Sequence, residues 1–426
     1  MRPRLCIVLI CIFRILNKLC YQRKESETMD EERRKRRSRI LLIVGILLVA
    51  ANLRAPITAL SPLLSYVRVD LPLSNTMTGF LTTLPLLAFA GLSPFVSKLA
   101  RRWGMEFIVF FAACLMVVGS LIRPFGGIPL LLFGTFLIGL AIAVGNVLLP
   151  SLIKKEFPFK MGLMTGMYSI SMNVCAMLAS GISVPIAVNS GFGWRGALVV
   201  WSGFAIIALL MWLPQLKYNQ KSLPLSVAQK PRQSIWSSPL AWKITLFMGM
   251  QSTLFYVMVA WLPSILISQG MASTQAGFML SLFQLGIIPF TFIVPIIASN
   301  MKSQRPIVIM MTVLLLAGTT GLIFGAGDAW IVGPSVFMMG VASGTAFSVC
   351  MMFFSLRTST ATEAADLSGM AQSIGYLLAA AGPTLFGALH DMTDSYTVPL
   401  TIIVVAALLL FITGMDAGRD KKVFGK

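Results

Sequence analysis

Arg54 stands about 14 residues into an apolar stretch that begins near residue 40, a depth of ~21 Å if the stretch is helical at about 1.5 Å per residue. In lipid, a guanidinium at that depth costs at least ~2.5–3.5 kcal/mol, so its presence calls for a binding role. Its planar fork of donors suits a planar oxyanion. No carboxylate within the neighbouring apolar stretches offers itself as a partner, which favours a solute as the missing counter-charge. The competing reading is a structural arginine tied to nearby carbonyls. The flank is Asn52-Leu53-Arg54-Ala55-Pro56, and Pro56, having no N–H, tends to free the carbonyl of Asn52 one turn back. Thr58 and Ser61 follow at helical spacing and predict a polar stripe on the face of Arg54.

Other polar side chains recur inside apolar stretches. One stretch places Thr165, Ser169, Asn173 and Ser180 on one helical face with Tyr168 beside them. Another places Ser368, Gln372, Tyr376 and Pro383 together, with Ser373 adjacent. Asn146, Gln251, Tyr256 and Gln284 complete the set. Asn52, Arg54, Asn146, Tyr168, Ser169, Asn173, Gln251, Tyr256, Gln284, Gln372 and Tyr376 are the residues expected to line a polar route. Small polar groups also glue helices together, so for any one of them packing is an equal reading. The single histidine, His390, precedes Asp391 at a predicted helix end and reads as interfacial rather than as a proton sensor. The six cysteines have no metal-ligand spacing and read as small apolar residues, so neither a metal nor a cofactor is implied.

The elements that hold these residues follow from composition. The 426 residues are 57% hydrophobic and 12% charged, with a mean hydropathy of +0.84, which a soluble domain of this length does not tolerate on its surface. Twelve stretches are long enough to span a bilayer, near 40–64, 76–97, 106–123, 128–150, 162–187, 196–214, 243–268, 275–298, 306–325, 330–355, 367–390 and 396–415. The net charge of +19 would suit nucleic acid if it were spread over a surface. It is not: Arg33 to Arg39, Lys98, Arg101, Arg102, Lys154, Lys155, Lys160, Lys217, Lys302, Arg357 and Lys421 all fall between stretches on one side. That asymmetry places both termini in the cytoplasm of a bacterial inner membrane and gives the charge a topological meaning. Trp194, Trp212, Trp242 and Trp330, near predicted span ends, are expected at the headgroup level.

Residues 1–28 hold a short apolar run followed by Arg14 and Lys18. A cleaved signal there would deliver the basic run 33–39 to the wrong side, so Met29 is the expected start and 1–28 an extension. The remaining organisation is a basic segment to residue 38, a six-helix bundle over 39–214, a polar linker over 215–241, a second bundle over 242–416 and a tail over 417–426. Self-comparison at an offset of about 201 aligns Pro62 with Pro263, Pro94 with Pro295 and Gly139 with Gly340, the internal repeat common in transporter folds. An all-α protein of two six-helix bundles joined by a linker has the layout of the major facilitator superfamily.

Ala-Asn-Leu-Arg-Ala-Pro at 51–56, Val-Gly-Asn-Val-Leu-Leu-Pro at 144–150, Gly-Leu-Met-Thr-Gly-Met-Tyr-Ser at 162–169 and Ser-Gly-Met-Ala-Gln-Ser at 368–373 resemble the cyanate permease and 2-nitroimidazole transporter family of that superfamily. The resemblance covers about residues 40–415. It implies the two-bundle fold, transport as the activity, and small polar or anionic solutes such as cyanate, or nitro-heterocycles for exporting members. One departure stands out: where the superfamily usually places an acid in the loop after the second helix, this chain has Arg101, in Leu99-Ala-Arg-Arg-Trp-Gly-Met-Glu106. Glu106, four residues from Arg102, is the expected local substitute for that gate.

The leading expectation is alternating-access transport of a small polar or anionic solute by a monomer in the lipid bilayer, with Arg54 as charge anchor. The alternative is export of small neutral aromatic compounds. A membrane-embedded enzyme would need a nucleophile, base or metal cluster that these stretches do not supply. Direction is not legible, and with no acid at depth both simple exchange and proton cotransport stay open.

Overall fold

The computed structural model describes residues 39–71, 73, 75–189, 191, 193–219, 234–325, 327–393 and 395–424. The expected start at Met29 and the basic run 33–37 lie outside them. Within the described residues the chain forms long helices and no strand. They are α1 (39–52, resuming in short pieces to Asp70), α2 (Asn75–Trp103), α3 (Met105–Ile122), α4 (Ile128–Glu156), α5 (Met161–Asn189) and α6 (Gly193–Trp212), then α7 (Pro239–Ser268), α8 (Ser273–Asn300), α9 (Arg305–Phe324), α10 (Ala329–Leu356), α11 (Ala361–Thr393) and α12 (Thr397–Ala417). Eleven are long and apolar enough to cross a membrane. The exception, α11, is 33 residues long; the polar groups it brings to the seam between the bundles, Ser368, Gln372, Ser373 and Tyr376, dilute its hydropathy. Helix α7 starts at Pro239, inside the stretch read as linker.

The first six helices pack into one bundle and the last six into another, with α2 against α11, α5 against α8 and α4 against α11 closing the seam. Glycine sets how near helices come. A Cβ on Gly139 of α4 would meet Ala88 and Pro85 of α2, and one on Gly340 of α10 would meet Phe283 and Gly286 of α8. These two positions, aligned in the sequence repeat, do the same job in each bundle. Across the seam the pattern recurs: a Cβ on Gly166 would lie 2.6 Å from the Phe292 carbonyl oxygen, and one on Gly369 2.6 Å from that of Ser93.

One basic residue at a helix end ties three helices together. Arg357, fully buried at the end of α10, donates to Gln304 and to the carbonyls of Ala417 and Gly418, tying α9 and α12 to α10. Such a guanidinium collects helix-end carbonyls that would otherwise be unsatisfied. Gly104, at φ 94°, makes the tight turn from α2 to α3. Asn219 locks that turn by accepting from Phe107 N (3.2 Å) and donating to the Trp103 carbonyl (2.8 Å). Two tryptophans depart from the expected headgroup position: Trp212 and Trp194 are buried, their indole N–H groups donating to the Glu106 carbonyl and to Asp70. Their polar tips found partners inside the protein, which removes the need for an interfacial site. Trp242 and Trp330 are exposed.

Gly344→Leu puts its Cβ about where 2.6 Å separates it from the Ile287 carbonyl oxygen. It is expected to cost about 1–3 kcal/mol by overpacking and to lower the melting temperature in detergent. Gly181→Leu, with nothing within 4 Å, is expected to leave it unchanged; thermal unfolding of the two purified variants checks both.

Candidate functional site

Helix α1 stops at residue 52, and Leu53 and Arg54 form a turn before helix resumes at Ala55–Thr58. The cause is local. Pro56 cannot donate to the carbonyl of Asn52, and Leu53 N closes a short bond to Ala50 O instead (3.0 Å). Arg54 adopts φ −121°, ψ −36° at the break. The chain continues through a 3-10 turn, Ser61–Leu63, to Leu64–Asp70. The predicted polar stripe is thereby lost: Thr58 folds back onto the carbonyls of Arg54 and Ala55, and Ser61 is exposed beyond the break. Buried Arg123, at the end of α3, donates through Nη1 to the Pro56 carbonyl (2.8 Å) and braces the broken segment.

The break aims Arg54 at the seam. Its Nη1 donates to Asn173 Oδ1 of α5 (3.1 Å), and its guanidinium carbon lies 5.3 Å from the Phe255 ring centroid and 5.5 Å from that of Phe347, both within cation–π range. Asn173 Nδ2 donates to the Ser169 carbonyl (2.9 Å) and reaches Thr291 of α8 (3.4 Å), so the amide is turned with its oxygen toward Arg54. These groups border a small cavity between the bundles, lined by Arg54, Asn173, Gln251, Ser252, Phe255, Tyr256, Ile287, Thr291, Ser343, Phe347 and Tyr376. Among the described lining residues Arg54 carries the one formal charge. Tyr256 meets Phe255 edge-on at 5.2 Å and Tyr376 meets Phe89 edge-on at 4.9 Å, which holds these rings upright as walls.

Below the cavity, toward the basic helix ends, four of the expected residues form its floor. Tyr168 donates to Asn146 Oδ1 (3.2 Å), Asn146 reaches the Tyr376 hydroxyl (3.5 Å), and Gln372 donates to the Asn146 carbonyl (2.9 Å) and to Ser368 (2.8 Å). Ser169 is wholly buried beside them with an unpartnered hydroxyl. Three expectations change. Asn52 faces away from the cavity, bonding Leu48 O in its own helix (2.9 Å) and lining a separate apolar crevice among α1, α3, α4 and α6. Gln284 is exposed on α8 and lies outside the lining set. Glu106 does not pair with Arg102, which is exposed. Instead Glu106 takes Lys155 of α4 at 2.7 Å, inside its own bundle, because it sits in the first turn of α3 with that lysine directly across.

The ion pair between the bundles is built from Arg101 instead. Its Nη1 lies 2.6 Å from Asp366 of α11, so the base stands on α2 and the acid on α11. Beside it Lys154 of α4 donates to the Ser355 carbonyl (2.7 Å) and to Thr358 of the other bundle, and Ser373 donates to the Ala90 carbonyl (2.7 Å). All these ties lie between the cavity and the basic helix ends. On the far side of the cavity Gly181 of α5 and Gly277 of α8 have open space where a Cβ would stand. Sequence reasoning missed Ser252, Ile287, Thr291, Ser343 and Phe347 as lining residues. They sit on helices α7, α8 and α10 of the second bundle, whose faces toward Arg54 are defined only once the two bundles are docked.

Two six-helix bundles closed at one end around a central polar cavity define a secondary-transporter architecture. Residues 42–383 match the Major Facilitator Superfamily, and the chain belongs to that superfamily. It is 43% identical over 389 residues to the 2-nitroimidazole transporter of Escherichia coli, covering 91% of this chain and 98% of that one. A cyanate transport protein of the same organism is 26% identical over 356 residues, 83% of this chain and 91% of that one. Among solved structures, a proton:xylose symporter superposes with a TM-score of 0.73 at 12% identity, over 90% of this chain and 97% of that one, a likeness of fold alone. The chain is therefore a multi-pass membrane transporter of the cyanate and nitroimidazole type.

Reversing the charge of either partner, Arg101→Asp or Asp366→Arg, sets like charges in contact and is expected to open the basic end, raising reactivity of a cysteine placed at buried Ser169 toward a membrane-impermeant thiol reagent. The double reversal restores protection; additive effects of the two single changes would mean that the pair does not act as one gate.

Proposed function

We propose that the protein carries a small planar solute bearing a carboxylate or nitro group on a ring, by alternating access between the two bundles, with the basic end in the cytoplasm. The observation that carries this reading is Arg54, a lone cation held between two aromatic rings at the cavity. Its faces are taken by Phe255 and Phe347, so its free N–H edge is what a solute meets. A carboxylate and a nitro group both present two oxygens in one plane, the partner a guanidinium fork accepts in parallel. The chemistry of the walls narrows the choice. Tyr256, Phe347 and Tyr376 supply π-faces and edges for a ring. The 2-nitroimidazole named for the relative fits this chemistry, and so does a benzoate-like anion. Cyanate fits the charge but not the walls.

The membrane orientation follows from the one-sided basic residues. With it, the closed end is cytoplasmic and the cavity communicates with the outside. Floor residues Asn146, Tyr168, Ser169 and Gln372 become the route lining once the bundles rock the other way. That assigns them to the pathway rather than to the first encounter with solute.

In proteoliposomes given benzoate, 2-nitroimidazole, cyanate and benzenesulfonate, transport is expected for the ring solutes above protein-free controls. Arg54→Ala is expected to weaken their binding about a hundredfold, and Arg54→Lys less, because the charge stays and the fork is lost. An Arg54→Ala protein that folds and transports normally would make Arg54 structural and reject the reading.

A further inference from the structure

Among the described residues lining the cavity, Arg54 has a single protein oxygen partner, Asn173 Oδ1, and no carboxylate. A guanidinium has five N–H donors, so while the cavity is open the others are served by water or by solute. Alternating access demands a step in which both ends are shut. In that step the aromatic walls close on Arg54, the dielectric falls, and an unmatched charge becomes far more costly than in the open state. A carrier that returns empty needs some means of discharging its site: an acid that swings in, or a group that loses its charge. The lining offers neither. Gln251, Ser252, Thr291 and Ser343 are neutral, and the tyrosines are neutral hydroxyls. Acids on the closed side are committed elsewhere, Asp366 with Arg101, Glu106 with Lys155 and Glu363 with the Ser359 N–H.

We infer that the protein is an obligatory exchanger. The bundles change places only with an anion on Arg54, so one solute enters as another leaves, one monoanion for one and without net charge movement. This rests on the anion-binding reading above and adds the mode of coupling. Direction is then set by the two solute gradients and not by a proton gradient. A neutral nitro-compound crosses poorly by itself on this account, since it leaves the guanidinium charge uncompensated, and moves best when its ring is ionised. The gate at Arg101–Asp366 and the Lys154 latch work in the same sense, holding the empty carrier shut toward the basic end until solute binding offsets their loss.

The test uses the wild-type protein in liposomes and labelled benzoate, with leak through protein-free liposomes subtracted. Initial uptake is compared between vesicles preloaded with unlabelled benzoate and vesicles holding only sucrose and zwitterionic buffer. Preloading is expected to raise the rate about a hundredfold, and a valinomycin-imposed potassium potential of either sign is expected to leave that rate unchanged. Equal rates in preloaded and unloaded vesicles would overturn the inference and leave the solute assignment standing. No rate above leak in either would reject the solute assignment and the inference with it. A second measurement needs no transport: spin labels at Met177 and Phe278, exposed on the facing helices α5 and α8, report the distance across the open end in a background whose native cysteines are replaced by alanine. Without benzoate one open population is expected, and with benzoate a second, shorter distance appears. Both distances in the absence of any anion would also overturn obligatory exchange.

Discussion

A single positive charge placed between two bundles in a low-dielectric interior, with one neutral amide for a partner, is the constraint around which the rest of the molecule is arranged. It explains the break in α1, because an unbroken helix would fix Arg54 by its own periodicity. It explains the Arg123 brace on the Pro56 carbonyl, which keeps the broken segment from wandering, and the two phenyl rings that shelter the guanidinium faces. On the function proposed above, the cost of burying this cation is met partly by protein and partly by the arriving solute, unlike in a structural ion pair.

The two bundles divide the labour unequally. The first supplies the charge and the amide that orients it. The second supplies most of the walls, from α7, α8 and α10, and none of the charge. Contacts across the seam are made with backbone as much as with side chains: glycines against carbonyls at Gly166 and Gly369, a hydroxyl against the Ala90 carbonyl, and a lysine against a helix end. Such contacts release together when the bundles rock, since each depends on the same rigid docking and none is buried deep within one bundle.

Much of this was legible in the sequence. The twelve stretches, the repeat and the depth of Arg54 follow from apolar run lengths and one ionisable residue, signals that lipid makes strict. Pro56 foretold the weak point in α1. Asn173, Gln251, Tyr256 and Tyr376 line the cavity, on faces that helical periodicity sorts. What periodicity does not give is which face meets the other bundle. Asn52 and Gln284 therefore failed: each lies on a plausible polar face, but one turns to a crevice within its bundle and the other to the outside. The Glu106–Arg102 pairing failed for a related reason. Spacing within a helix competes with partners from other helices, and Lys155 was nearer in space though 49 residues away in the chain. Arg101–Asp366 joins residues 265 apart, beyond the reach of any local rule.

The Lys154 latch grips main-chain oxygens at the C-terminal end of α10, the negative pole of that helix. At residue 355 such a latch recognises geometry and not sequence, whereas Thr358 offers it a hydroxyl as well as a carbonyl. Its bond at 355 does not depend on the side chain there, whereas inserting one residue into the short turn that joins α10 to α11 would shift Thr358 out of reach. The closed end of the transporter is thus protected against substitution and vulnerable to changes in length, and relatives with different solutes can keep the same hinge while rewriting nearly everything around it.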